Sequence, residues 1–212
     1  MYSTILLLKK RLEHLSYYFR IIERFDFLYK VIGLDLDNTL TKIDTTLDII
    51  SRELSTTRIN VDDVVDYNLF SSFMLPSENE EKFWFENEGE IVRNSILSQE
   101  RYEGILNNFS NSNTVFHIIT SRHPMHKFDT INWLKKNNIP YDKLIMTAGA
   151  PKVEYIEELG IELMADDAPK VITDIYQKRL NEKVDVLKVE YQYNKELPSK
   201  YIMDLSGNVL TG

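Results

Sequence analysis

Short apolar runs that alternate with helical patterns constrain the fold of this chain most strongly. The first run, residues 29–36 (YKVIGLDL), is mostly apolar and ends at polar residues, as a buried parallel strand does before its loop. Similar runs follow at residues 114–120, 144–147, 161–165 and 184–191, and helical patterns separate them at residues 128–136, 152–159 and 168–180. This alternation predicts a parallel α/β sheet with right-handed crossovers.

Between the first two predicted strands the pattern changes to polar-rich helical segments. We therefore predict a catalytic core of residues 29–41 and 105–212, with a small helical cap of residues 42–104 inserted after the first core strand. Loops at the carboxyl ends of parallel strands surround the active site in open α/β sheets. The insertion is therefore expected to act as a lid.

Residues 1–28 form a separate predicted unit, an amphipathic helix. Its apolar side chains recur at steps of three and four, at Leu8, Leu12, Leu15, Phe19, Ile22 and Phe25. Such a helix packs on the body of the protein or contacts a membrane surface or a partner, and the pattern favours the first. The longest early apolar run, residues 5–8, is too short for a signal peptide or a membrane span, so no transmembrane segment is expected.

The charge balance narrows the choice of partners. The 212 residues include 33 Asp and Glu against 25 Lys and Arg, a formal net charge of -8, so long nucleic acid is an unfavourable partner. The chain has no cysteine, which rules out disulfides, a thiolate nucleophile and cysteine metal ligands. We expect a cytoplasmic protein that binds a small molecule, with a homodimer as one candidate assembly.

Two acidic clusters follow predicted strands. Asp35 and Asp37 lie with Thr39 in LDLDNTL, and Asp166 and Asp167 lie in ADDAP. Four carboxylates at strand ends repel one another unless a cation or a proton offsets them, and oxygen ligands of this kind suit Mg²⁺. Either cluster alone is also typical of a turn or a helix start, but the two together favour a metal site.

Two further polar residues complete a recognisable order of motifs. Thr120 lies in HIITSR after the second predicted strand, and Lys152 lies in GAPKVEYI upstream of the second acidic cluster. A D-x-D-x-T sequence, a Thr or Ser, a Lys and a D-D pair, in this order, resemble the haloacid dehalogenase phosphatase superfamily. The resemblance implies a Rossmann-like core, a parallel sheet with helices on both faces.

The resemblance also implies a covalent, magnesium-dependent mechanism of phosphomonoester hydrolysis. Asp35 would attack phosphorus to form an aspartyl phosphate, and Asp37 would act first as acid and then as base. Mg²⁺ would be held by Asp35, the backbone carbonyl of Asp37 and Asp166. Asp167 would orient a metal-bound water, and Thr39 would support the ligands from behind.

The substrate phosphate is expected to contact Lys152 and the hydroxyl of Thr120, with the neighbouring Ser121 as a rival to Thr120. An ordinary lysine on a helix face is the alternative for Lys152, because lysines are common and only its place in the chain singles it out. Both roles follow from the resemblance rather than from spacing.

Over residues 31–198 the chain is more specifically similar to the 5'(3')-deoxyribonucleotidase group and its bacterial relatives. The similarity rests on four strings, FWFENEGEI (83–91), TSRHP (120–124), KFDTINWL (127–134) and QYNKELP (192–198). Asn38 stands where close relatives often carry Gly. The resemblance implies that the substrate is a nucleoside monophosphate. A sugar phosphate or another small phosphomonoester is the alternative, and a non-catalytic binding protein on the same fold is a further one.

Substrate contacts beyond the phosphate are expected from the cap and from the loop after the second strand. Trp84, between Phe83 and Phe85, is the candidate for stacking on a base, although a role in the core of the cap is the alternative. Arg122 is a candidate to approach the substrate, as are His123 and His126, but the pattern favours solvated loop residues. The acidic positions Asp62, Asp63, Asp66 and residues 78–90 are interpreted as a solvated helix face rather than a second metal site.

Overall fold

A computed structural model describes residues 28–54 and 59–212. It contains one seven-stranded sheet in the order β3-β2-β1-β4-β5-β6-β7, in which all neighbours are parallel except the antiparallel pair β6 and β7. The strands are β1 (Val31–Leu34), β2 (Val115–Thr120), β3 (Lys143–Met146), β4 (Leu163–Asp166), β5 (Asp185–Val189), β6 (Tyr201–Met203) and β7 (Val209–Thr211). The prediction of a parallel α/β sheet is confirmed, apart from the antiparallel edge strand β7.

The central strands are buried on both faces because their side chains alternate between two hydrophobic clusters. In β4, Leu163 and Ala165 belong to one cluster while Met164 belongs to the other. In β1, a Cβ on Gly33 would lie 2.7 Å from the sulfur of Met164, so a side chain there would collide with the neighbouring strand. Each central strand therefore has apolar side chains on both faces of the sheet, and both faces must be packed against other elements.

Helices provide this cover on both faces, as predicted. On one side lie α4 (Gln99–Phe109) and α5 (Lys127–Lys136), which contribute Ile105 and Trp133 to the first cluster. On the other side lie α6 (Val153–Glu158) and α7 (Pro169–Gln177), which contribute the second cluster. Helix α7 begins with proline, whose missing N–H costs nothing in the first turn of a helix.

The segment between β1 and β2 is largely helical. It contains α1 (Asp44–Glu53), α2 (Leu69–Ser72) and α3 (Glu80–Asn94), with short 3-10 turns at Val61–Asp63 and Ser77–Asn79. An antiparallel bridge between Thr41 and Leu97 joins the two ends of this segment at the sheet. The limits of the cap, 42 and 104, remain predictions, and α4 crosses the second of them because its apolar face packs on the sheet.

Strand and helix positions agree with the sequence patterns to within a few residues, with two differences. First, strands β6 and β7 were not predicted. Second, α7 was predicted to extend to residue 180 but ends at Gln177, because Arg179 adopts a left-handed conformation (φ 56°) that breaks the helix. The predicted N-terminal helix lies outside the described residues.

No helix in the described residues has the length and apolar character that crossing a bilayer requires.

Candidate active site

The polar motif residues meet at the carboxyl edge of the sheet. Asp35 directly follows β1 and continues its pairing, because its N–H donates to the carbonyl of Ala165 in β4 at 3.0 Å. Asp166 ends β4 and Thr120 ends β2, the two neighbours of β1 in the sheet. Three adjacent parallel strands therefore deliver three of the predicted site residues to one place.

Asp35, Asp166 and Asp167 form a buried carboxylate cluster. They are 5%, 0% and 1% exposed, and they offer oxygens that all lie within 4.8 Å of one another. Burial raises the pKa of Asp35 well above its usual range, although Lys152 acts in the opposite direction. Burial, reinforced by the charge of Asp166, raises the pKa of Asp167 to about 7. The cluster is electrostatically costly without a cation.

Lys152 lies within this cluster, immediately before α6. Its ammonium donates to Oδ1 of Asp35 at 2.6 Å and to Oδ2 of Asp166 at 2.9 Å. Burial lowers the pKa of Lys152, but the charges of Asp166 and Asp35 outweigh burial and hold that pKa above its ordinary value. One ammonium can offset only one of the three carboxylates, and the oxygens of this cluster are the hard ligands that suit Mg²⁺. The alternative of an ordinary exposed lysine does not describe this side chain, which is 2% exposed.

Asp37 lies apart from that cluster and pairs with Arg122. The guanidinium donates from Nε to Oδ2 of Asp37 at 2.8 Å and from Nη2 to Oδ1 at 2.7 Å, a bidentate pair. The ring of Trp133 lies beneath the guanidinium, 5.8 Å from its carbon. The expectation of a solvated loop residue is wrong for Arg122, whose side chain is 1% exposed because this ion pair and the ring enclose it.

A second arginine shapes the loop that carries Asp37. Asn38 has a left-handed backbone (φ 63°), a conformation that asparagine tolerates better than most residues and glycine adopts freely. Arg101 of α4 donates to the carbonyl of Asn38 and, at 2.7 Å, to that of Thr41. Arg101 is buried at 2% exposure. The turn after β1 is therefore held by a buried side chain, which restrains the backbone next to Asp37.

Asp167 is fixed through both of its carboxylate oxygens. Thr39 donates to Oδ1 at 3.0 Å and Tyr193 donates to Oδ2 at 2.5 Å. The supporting role of Thr39 towards a metal site stays a prediction. Sequence reasoning missed Tyr193, although it lies inside the QYNKELP string on which the family resemblance partly rested.

Thr120 and Ser121 differ in exposure. Thr120 is fully buried, and its hydroxyl accepts the N–H of Arg122 at 3.4 Å, whereas Ser121 is exposed and lines a cavity beside Asp37. Both residues lie at the carboxyl end of β2. Their roles towards a phosphate remain predictions.

The cavity has a volume of about 420 Å³ and extends from Asp37 to the cap. Helix α3 contributes one face to it, with Glu80, Trp84 and Glu88 spaced four residues apart. The two aromatic residues that flank Trp84 point elsewhere, since Phe83 is buried in the core and Phe85 is 74% exposed. Of the three aromatic candidates, Trp84 is the one that lines the cavity.

The remaining polar candidates surround this cavity or lie away from it. His123 is exposed, as expected, while His126 is partly buried and its Nε2 lies 3.4 Å from Oε2 of Glu88. Glu88 also accepts the N–H of His123 at 3.0 Å and so ties α3 to the loop after β2. The acidic positions Asp62, Asp63 and Asp66 are exposed, which agrees with a solvated face.

Comparisons with known proteins give two kinds of similarity. No family model matches the chain. Over 140 residues the chain is 29% identical to "Putative nucleotidase YqfW" of Bacillus subtilis (strain 168), which covers 64% of this chain and 69% of that protein.

Two solved structures share the fold at low sequence identity. A haloacid dehalogenase (HAD) superfamily hydrolase of subfamily IA, variant 1, from Geobacter sulfurreducens PCA has a TM-score of 0.51 at 14% identity, covering 84% of this chain and 93% of that one. A "putative phosphoglycolate phosphatase" from Lactobacillus plantarum has a TM-score of 0.52 at 13% identity, covering 76% and 86%. The fold that the sequence resemblance implied is thereby confirmed, and the chain has the fold of the haloacid dehalogenase superfamily.

Proposed function

We propose that the protein is a magnesium-dependent phosphatase that hydrolyses small phosphomonoesters through an aspartyl phosphate on Asp35, with nucleoside monophosphates as its substrates. The observation that carries the proposal is the buried cluster of Asp35, Asp166 and Asp167 around Lys152, beside a capped cavity that reaches Asp37. A fold with this set of residues suits phosphoryl transfer, in which positioning and electrostatic stabilisation do most of the work.

The two steps use two carboxylates. The Asp35 carboxylate attacks phosphorus, a P–O bond forms to its oxygen, and the P–O bond to the leaving alkoxide breaks while Asp37 gives that oxygen a proton. In the second step Asp37 takes a proton from water as the water attacks the acylphosphate. Inorganic phosphate leaves and Asp35 is restored. The bidentate contact with Arg122 sets the direction of the ionised Asp37 carboxylate, the form that takes the proton from water in the second step.

The chain's other residues hold the phosphoryl group. Asp35, Asp166 and the backbone carbonyl of Asp37 are the ligands proposed for Mg²⁺, with Asp167 beside them. A divalent cation held there offsets the charge of the phosphoryl oxygens. The Lys152 ammonium and the hydroxyl of Thr120 or Ser121 bind the remaining oxygens, so that attack by Asp35 occurs from a fixed distance.

Two features support a nucleotide rather than another phosphomonoester. The chain is similar to a protein that is named as a nucleotidase. The cavity beside Asp37 also presents the ring of Trp84, and aromatic rings stack on the faces of bases. A sugar phosphate has no planar ring to use this surface, and it is the competing substrate class that the experiment includes.

The test is phosphate release from a panel of ribo- and deoxyribonucleoside monophosphates and several sugar phosphates, with and without Mg²⁺. Asp35→Asn serves as the blank, because it keeps the shape of the side chain and removes the nucleophile. We expect magnesium-dependent turnover of the nucleotides that falls at least about 1,000-fold in the mutant, since loss of a nucleophile typically costs more than that.

The substrate, the covalent mechanism and the enzymatic function are each contradicted by a different result. A preference for sugar phosphates would contradict the nucleotide substrate and leave the mechanism intact. Equal turnover by Asp35→Asn would contradict the covalent mechanism. Folded wild-type protein that binds Mg²⁺ and releases phosphate from no substrate would contradict the enzymatic function and support a binding protein.

A further inference from the structure

The loop after β5, residues 191–198, reaches the carboxylate cluster although no metal ligand belongs to it. We call this segment the tyrosine loop. The hydroxyl of Tyr193 donates to Oδ2 of Asp167 at 2.5 Å, and the side-chain amide of Asn194 donates to the backbone carbonyl of Asp167 at 2.7 Å. The tyrosine loop therefore donates hydrogen bonds to both the side chain and the backbone of Asp167, which directly follows Asp166.

Asn194 uses every hydrogen-bonding group of its side chain. Its amide N–H groups go to the carbonyls of Asp167 and Val189, and its amide oxygen accepts the N–H of Tyr191 at 3.0 Å. It is 1% exposed. A buried amide with all its partners in place has one available orientation, so it fixes the start of the tyrosine loop against β4 and β5.

Lys188 holds the other side of the same loop from within the sheet. It lies in β5 beside Asp166 of β4, to which it is paired in the strand register. Its ammonium donates to the backbone carbonyls of Asn194, Lys195 and Leu197 at 3.2, 2.8 and 2.9 Å. The side chain is 1% exposed, and the carboxylate of Glu190 lies 3.6 Å away.

Burying the ammonium of a lysine is unfavourable, so the hydrogen bonds of Lys188 must compensate for it. Three carbonyl oxygens, one for each N–H, offset part of the cost of moving the ammonium out of water, together with the carboxylate of Glu190. Without the ammonium, the carbonyls of Lys195 and Leu197 would lose this donor, while the carbonyl of Asn194 would keep the N–H of Leu197 at 3.0 Å. The ammonium and the loop conformation thus depend on each other, and the loop conformation determines where the hydroxyl of Tyr193 lies.

We propose that Lys188 and Tyr193 are positioning residues for the metal site: the Lys188 ammonium fixes the tyrosine loop, and the Tyr193 hydroxyl holds the Asp167 carboxylate in place beside Asp166. This inference rests on the proposed magnesium-dependent function. Removing a group that surrounds the ligands of a metal site typically weakens metal binding about 10–100-fold, and Asp167 is such a group beside Asp166. Without the hydroxyl, Asp167 keeps the contact from Thr39 and is free to rotate about it.

The experiment is a calorimetric titration of Mg²⁺ into wild type, Tyr193→Phe, Lys188→Met and the double mutant. We expect each single mutant to bind Mg²⁺ about 10-fold more weakly or worse. Because Lys188 acts through Tyr193, the double mutant should bind no more weakly than the weaker single mutant, which is non-additive behaviour. Methionine has nearly the length of lysine without its charge. Should Lys188→Met not fold, Tyr193→Phe decides the question alone.

Tyr29→Phe is the matched control. Its hydroxyl also donates to an aspartate, Asp185, but at the opposite edge of the sheet. A merely structural role would lower the unfolding temperature of Tyr193→Phe and Tyr29→Phe alike and leave both Mg²⁺ affinities at the wild-type value, which would overturn the inference. Additive losses in the double mutant would also overturn it, because Lys188 would then act independently of Tyr193.

Different results would contradict the proposed function and the positioning role of Lys188 and Tyr193. Wild-type protein that neither binds Mg²⁺ nor releases phosphate would overturn the proposed function and, with it, the metal site that the loop positions. Wild type that binds Mg²⁺ and turns over substrate, together with a Tyr193→Phe variant of unchanged Mg²⁺ affinity, would overturn the positioning role alone.

Discussion

The guanidinium of Arg122 sets the direction of the Asp37 carboxylate through two hydrogen bonds, and no other side chain in the described residues donates to that carboxylate. Replacing Arg122 by Gln removes the bidentate contact and lets the carboxylate rotate. Because a displacement of about 1 Å at a catalytic group costs about 100-fold, we expect kcat to fall by about that factor with a much smaller change in KM. Steady-state kinetics on the best substrate measures both.

Arg52→Gln controls for the loss of an arginine. Arg52 also makes a bidentate pair, with Glu90 at 2.8 and 2.9 Å, but that pair lies on the exposed surface of the cap. Its removal should leave kcat unchanged. If Arg122→Gln retained wild-type kcat, Asp37 would not need this orientation.

Single residues were predictable where their role follows from a position in the chain. Asp35 and Asp166 follow apolar runs that can only be buried strands, so their convergence at one edge was expected. Arg122 and Tyr193 were not predictable in the same way, because their partners lie 85 and 26 positions away and polar loop residues are usually solvated. Lys188 is harder still, since a buried lysine contradicts the ordinary behaviour of its type.

Neighbouring residues of helix α3 lie in different environments, which leads to a prediction about substrate specificity. Trp84 lines the cavity, whereas Phe85 is 74% exposed. Trp84→Ala should raise KM for nucleoside monophosphates about 10-fold, because stacking of a base on an aromatic ring is worth about 1–3 kcal/mol. The same change should leave KM for a small phosphomonoester without a ring unaltered.

Phe85→Ala is the adjacent control, and it should change neither value. An equal effect of Trp84→Ala on both kinds of substrate would show that the residue supports the cap rather than a base.

The contact of α4 with the turn between β6 and β7 gives a prediction about stability. A Cβ on Gly104 would lie 2.5 Å from the carbonyl oxygen of Gly207 and 3.1 Å from the terminal carbon of Met203. Alanine favours a helix by about 1 kcal/mol over glycine, but overpacking against backbone costs about 1–3 kcal/mol or more. Gly104→Ala should therefore lower the free energy of unfolding, measured in urea.

Gly89→Ala in α3 provides the comparison. A Cβ there would lie 3.2 Å from the end of the flexible Arg93 side chain and from the ring of His126. Because these side chains can move more readily than backbone, the loss should be much smaller. Stabilisation by Gly104→Ala would mean that α4 and the β6–β7 turn are not in the contact described.

Elements with their own apolar runs were predictable, and elements that depend on neighbours were not. Strands β1 to β5 each contain a run that marks them. Strands β6 and β7 have three residues each, and in β7 Leu210 is 63% exposed, so their pairing rather than their composition makes them strands. Helix α4 was divided by the predicted cap limit for the same reason, since its packing partner lies far along the chain.

At the scale of the whole molecule, the metal binding proposed for the buried carboxylate cluster should be coupled to stability. A ligand that binds the folded state at 100 times its Kd stabilises it by about 2.7 kcal/mol. For a domain of this size that corresponds to a rise in Tm of about 5–10 °C. We expect such a rise on adding Mg²⁺, measured by thermal denaturation followed by circular dichroism.

Asp166→Asn should abolish the Mg²⁺-dependent rise, because it removes one charged ligand from the cluster. Asp62 is an exposed carboxylate on the cap, and Asp62→Asn should keep the Mg²⁺-dependent rise in Tm. A rise of the same size in Asp166→Asn would mean that the ion binds elsewhere.

The Thr41–Leu97 bridge brings the two ends of the helical insertion side by side at the sheet. A segment whose ends are already joined can be lengthened, shortened or exchanged at little cost in chain entropy, because the closure beneath it is unchanged. The carboxylates proposed for catalysis lie outside the segment that this bridge closes, and Trp84 lies within it. Under the proposed function, the chemistry and the recognition of the substrate therefore belong to separate stretches of the chain, and substitutions confined to the stretch between Thr41 and Leu97 would change the preferred substrate while the chemistry stays the same.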